Sequence, residues 1–142
     1  MYTGLKHLHS VLAYFLLAAL AFSILYVLFT FVGKKPFTAT TRKVSLIGLI
    51  AAHLQLVVGL ILYFVSPLGF SNFSGENMKN TGFRFHMLEH PLTMLIGIIL
   101  ITIGYSRSKR ALLDNQRYKQ ILVFYIIGLL LILLRIPWTV WP

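Results

Sequence analysis

Four long apolar runs, at residues 11–32, 44–65, 87–104 and 121–136, leave this chain few ways to fold. An α-helix rises about 1.5 Å per residue, so about 20 residues cross the roughly 30 Å hydrocarbon core of a bilayer. The first two runs reach that length alone, and the other two reach it by taking in flanking residues. Backbone groups inside lipid must bond within the protein, and long runs without alternation choose the helix over the barrel strand. With 58% hydrophobic and 11% charged residues, nothing is left over for a soluble part. The expected fold is all-α: an integral membrane four-helix bundle running up-down-up-down. It forms a single domain over residues 1–142, with spans at about 5–32, 44–66, 83–105 and 119–137. The first run is too long for a cleaved secretory signal, and no small-residue cleavage site follows it.

Charge orients the bundle. Lys34, Lys35, Arg42 and Lys43 fall in the first loop, and Arg107, Lys109, Arg110, Arg117 and Lys119 in the third. The positive-inside rule places both loops in the cytoplasm, so both termini and the second loop face the periplasm of a bacterial inner membrane. The net charge of +10 therefore reflects topology and lipid charge, and a nucleic-acid partner is not expected.

The third apolar run opens on His86-Met-Leu-Glu89-His90-Pro91, with three ionisable side chains in five residues. Such groups inside a bilayer are costly and usually mark a pathway, a proton site or a cofactor. From Pro91 to Gly104 the chain is too short to span, so the helix is expected to start near Gly82 or Phe83. Pro91 then lies within it, bends it and frees the carbonyl of Met87. A neighbouring helix must satisfy that carbonyl.

Helical spacing sorts the polar residues onto faces. His86, Glu89, His90, Thr93, Gly97 and Gly104 form one stripe of the third helix. Ser45, Gly48, Ala52, Gln55 and Gly59 form one of the second, with His53 on its flank. Tyr125, Gly128 and Arg135 align in the fourth. Close helix packing explains glycine stripes; alternatively, Gly97 near His90 and Gly128 near Arg135 admit a flat macrocycle. Depth brings Glu89, His90 and Arg135 to one level with His9; His7 and His9 cannot both face inward, and His9 falls on one side with Ala13, Leu20, Ser23 and Val27. His53 sits near mid-membrane, where an imidazole bonded to a neighbouring helix is an equal alternative to a ligand.

No cysteine is present, so a metal centre must use His, Glu, Met or Tyr. Bis-histidine ligation of haem b suits the inventory, with His9, His53 and His90 as iron-ligand candidates and His86 a weaker one. Arg135, Arg84 or Lys6 would meet the propionates. Glu89 and Arg135 equally form an intramembrane ion pair between the third and fourth helices. His86-x-x-Glu89-His90 also matches the H-x-x-E-H zinc-hydrolase pattern, but the only later carboxylate side chain is Asp114, in the cytoplasmic loop.

His7-Leu-His9-Ser10, His53-Leu-Gln55, Tyr63-Phe-Val-Ser66-Pro67, Glu89-His90-Pro91 and Arg135-Ile-Pro137-Trp138 together resemble the small four-span bacterial membrane proteins labelled "cytochrome b". The resemblance covers nearly the whole chain and implies haem through His9, His53 and His90, without saying which two. A looser likeness to half of a haem A synthase lacks that enzyme's Glu-x-x-His-Arg pattern, so no synthase chemistry is expected. Two functions follow as expectations. One is a haem b electron carrier working with quinol or a respiratory complex. The other is a cofactor-free accessory subunit of a larger membrane complex. An independent enzyme is expected less than either.

Overall fold

A computed structural model describes all 142 residues, Met1–Pro142. It is all-helical, with four helices long and apolar enough to cross a membrane: α1 (Tyr2–Val32), α2 (Ala39–Val65), α3 (Thr81–Arg110) and α4 (Asp114–Leu134). Each begins earlier than its apolar run, and α3 also runs on past Gly104 through the basic residues to Arg110. Lys and Arg can stay helical while their heads reach the headgroup region, so charge does not end a span where hydropathy does.

Local chemistry sets the ends. At the close of α1, Lys34 N–H bonds the carbonyl of Phe31 and Lys35 N–H that of Thr30, a Schellman closure. Lys34, rather than Gly33, takes the left-handed conformation, with φ of 56°. Thr38 caps α2, its hydroxyl accepting from Thr41 N–H while Thr41 answers Thr38 N–H. Asn80 caps α3 by accepting from Gly82 and Phe83 N–H.

Within α3, residues Phe85–Glu89 turn as a π-helix between α-helical Thr81–Arg84 and His90–Arg110. The span therefore starts at Thr81 and carries Pro91 inside it. The Met87 carbonyl, which Pro91 cannot bond, accepts the Tyr63 hydroxyl of α2 at 2.7 Å. A side chain on a neighbouring helix thus replaces the missing N–H.

The helices pack as two close antiparallel pairs, α1 with α2 and α3 with α4; the pairs meet along α1–α4 and α2–α3. In the first pair Ser23 Oγ donates to the Val44 carbonyl at 2.7 Å. In the second, a β-carbon on Gly128 would stand 2.8 Å from the Gly97 carbonyl oxygen, so only glycine permits this approach. Tyr125, fully buried on α4, ties the pairs together by donating to the Ser45 carbonyl at 2.7 Å.

Only 28–33% of the most apolar stretch of each helix is buried inside the bundle. The rest faces outward, as Phe15, Phe22 and Phe29 do at seven-residue spacing along α1. An apolar surface of that extent wants lipid rather than water. Alternation gathers the start of α1, the end of α2, the start of α3 and the end of α4 at one end, the histidine end. The helix ends and loop that carry most of the Lys and Arg residues lie at the other, the basic end.

Candidate functional site

The histidine end is built around a diagonal contact between α1 and α3. The rings of His9 and His90 lie 6.3 Å apart between centres and 84° apart in plane. His90 Nδ1 lies 2.7 Å from the Arg135 carbonyl oxygen. A carbonyl only accepts, so Nδ1 carries the proton and, in the neutral ring, Nε2 is left with a free lone pair. That carbonyl is available because α4 ends beside it, and a helix leaves its last carbonyls without intrahelical donors. Phe85 stacks on the His90 ring, at 5.9 Å and 28°.

His9 is positioned from α2. Gln55 Nε2 donates to the His9 backbone carbonyl at 2.9 Å. One turn further, Gly59 lies against the ring, where a β-carbon would stand 3.0 Å from His9 Cε1. Two polar atoms here are buried and without partners, His9 Nδ1 and Gln55 Oε1. Buried polar groups are nearly always bonded, so such a pair singles out a place.

Glu89 has a different first partner from the expected one. Arg84 Nε donates to Glu89 Oε2 at 2.7 Å, whereas Arg135 Nε stands 3.8 Å from Oε1. The Glu89–Arg135 ion pair between α3 and α4 exists as the longer arm of a bridge. Residues five apart point away from each other on an α-helix, but the π-turn at 85–89 brings Arg84 and Glu89 to one side.

Other expected site residues lie elsewhere. His53 is exposed on α2 and bonds Thr102 of α3, Nε2 to Oγ1, at 2.9 Å. The Thr102 hydroxyl already donates to the Ile98 carbonyl, so the imidazole is the donor. This is the interhelical hydrogen bond, and it ties His53 to Thr102, well along α3 from His90. His86 bonds within its own helix, its Nδ1 3.3 Å from the Gly82 carbonyl oxygen, and its ring lies 5.2 Å from that of Phe85. Gly97 and Gly128 face each other across α3 and α4, so the space a macrocycle would need beside them holds the neighbouring helix. This contact is close helix packing, one of the two readings of these glycines.

As a donor set, the site is selective. No group of three or more His, Cys, Asp or Glu side chains converges anywhere, so neither a zinc-hydrolase centre nor another closed protein-ligand metal site is formed. A haem iron needs only two ligands from the protein. A separation of 6.3 Å between ring centres is short enough for one ion to reach a nitrogen of each ring with bonds of about 2.0–2.1 Å. His90, its Nδ1 held by a carbonyl, has the orienting second partner that metal-bound histidines usually have. His9 and His90 therefore lie close enough to share one metal ion. The glycine that lies beside the pair is Gly59, not Gly97 or Gly128.

Gln55, Gly59 and Tyr63 were not singled out as site residues from the sequence. Their four- and eight-residue spacings along α2 carried a signal, since all three fall near one face. What the sequence lacked was the partner: His9 for the first two and the Met87 carbonyl for the third. No family model, curated protein or solved structure matches this chain.

Proposed function

We propose that the chain is a cytochrome b-like membrane protein that binds haem b and passes electrons at the outer side of a bacterial inner membrane. Quinol or a respiratory complex is the partner that suits this location. The observation that carries the proposal is the His9–His90 pair, two imidazoles from diagonal helices with His90 locked by the Arg135 carbonyl. A bound haem would supply a one-electron iron couple. His9 and His90 would hold the iron, the Arg135 carbonyl would fix the His90 tautomer, and Gly59 would keep the flank of His9 clear. Arg84 and Arg135 place positive charge beside the pair, where propionates need it. The orientation rests on the basic loops, which by the positive-inside rule lie in the cytoplasm and leave the histidine end outside.

A second proposal, the cofactor-free accessory subunit, is favoured by one observation. The Arg84–Glu89–Arg135 bridge and the His90–Arg135 bond complete each other without any ligand. On that view the cluster fixes helix register and the partner is a larger membrane complex.

An absorption spectrum of the purified, dithionite-reduced protein separates the two. Soret and α bands support the haem proposal. A protein that stays colourless after haem supplementation would leave the accessory subunit.

A further inference from the structure

The basic end holds a pocket of about 350 Å³ lined by Phe37, Thr38, Ala39, Arg42, Lys43 and Arg117. We propose that it binds the phosphate group of an anionic phospholipid. This inference is independent of haem at the other end.

The pocket is preformed for an anion. Arg42 lies 4.9 Å from the Phe37 ring centre and 5.8 Å from that of Tyr105, and its Nη2 donates to the Ser108 carbonyl at 3.4 Å. A guanidinium held this way loses little freedom on binding. Its Nη1 is buried and has no acceptor. Lys43 is exposed beside it, one residue along α2.

Arg117 is held by its own bonds, Nε to the Ala111 carbonyl at 3.0 Å and Nη1 to Asp114 Oδ1 at 2.9 Å. Asp114 is the carboxylate adjoining the pocket. Its other oxygen accepts the Phe37 N–H at 3.1 Å, so Arg42 and Lys43 stay uncompensated. The Thr38 hydroxyl serves Thr41 N–H, which leaves the Ala39 and Thr40 N–H groups at the start of α2 without partners. A phosphate offers enough acceptor oxygens for such donors.

The surface below the pocket selects a lipid over a free phosphate. From Lys43 an exposed apolar stripe descends α2 through Ile47, Ile50, Leu54, Val57, Ile61 and Phe64. These positions step by three and four, so they make one continuous face. A phospholipid headgroup seated between Arg42 and Lys43 would lay an acyl chain along it. Basic pockets at the ends of membrane helices are suited to anionic headgroups.

Native mass spectrometry of the full chain in detergent tests this, with phosphatidylglycerol, phosphatidylcholine or inorganic phosphate as the probe. Phosphatidylglycerol is expected to be retained in preference to phosphatidylcholine. Arg42→Gln and Lys43→Gln should each lower that retention roughly fivefold, the effect of one cation near a lipid surface. Lys109→Gln, which removes a charge at the same end outside the pocket, should leave it unchanged. Should Arg42→Gln fail to fold, the exposed Lys43 carries the comparison. Equal retention of the two lipids, or equal loss with Lys109→Gln, overturns the proposal. Retention of inorganic phosphate without lipid preference assigns the pocket to a free phosphate and also overturns it.

Discussion

The two ends of the bundle solve the same problem with opposite chemistry. At each, a tyrosine hydroxyl bonds backbone carbonyls that no helical N–H serves: Tyr118 those of Lys35 and Pro36, Tyr63 that of Met87. At each, a buried side-chain nitrogen is left without a partner, on Arg42 or on His9. The difference lies in what that nitrogen can do. A guanidinium only donates and is always charged, so it asks for an anion. An imidazole offers a lone pair and, facing a second imidazole, suits a metal. One scaffold thus carries an unpartnered guanidinium nitrogen at one end and an unpartnered imidazole nitrogen at the other.

The ends also differ in how firmly they are built. Tyr118 is fully buried against Phe31 and Phe37, at 5.4 and 5.1 Å between ring centres. Tyr118→Ala should cost about 3–5 kcal/mol, the usual range for a large buried aromatic, read as a drop in thermal unfolding midpoint in detergent. A loss below about 1 kcal/mol would show that the basic end is not held from this position.

Tyr63→Phe should cost about 1–2 kcal/mol, because the Met87 carbonyl then has no donor. Adding Pro91→Ala restores a backbone N–H and should recover most of that loss. Absence of rescue would mean that the hydroxyl, not the proline gap, is what matters there.

Gly59→Ala should change stability by about 1 kcal/mol or less, since only the His9 ring edge must yield. Under the haem proposal it should nevertheless lower haem content or shift the Soret band. An unaltered spectrum in a haem-binding protein would remove Gly59 from the site. Glu89→Gln should have the smallest effect on stability, below about 1 kcal/mol, because the Arg84 and Arg135 side chains are 39% and 38% exposed. A larger loss would favour the accessory-subunit proposal, in which this bridge fixes register.

Much of the bundle was legible in the sequence, because long apolar runs and basic loops are cumulative signals that single residues do not upset. The interior position of Pro91 followed from length, and the need for a donor to Met87 followed from that. The meeting of His9 with His90 at one level came from counting turns. What stayed hidden depended on pairing between distant elements. Gly97 and Gly128 look alike as packing residues and as a cradle until their partner is seen, and that partner is each other. The Arg84–Glu89 contact needs a π-turn, which no spacing rule anticipates. His53 lay on the flank of its stripe, and a small rotation of α2 decides between the core and Thr102.

The most direct measurement of the central claim is haem content in four purified proteins: the wild type, His9→Ala, His90→Ala and His53→Ala. The His9–His90 pairing predicts equal haem in the wild type and His53→Ala, and loss of the bis-histidine spectrum in the other two. Haem lost in His53→Ala but kept in His9→Ala would contradict it, as would a wild-type protein that takes up no haem.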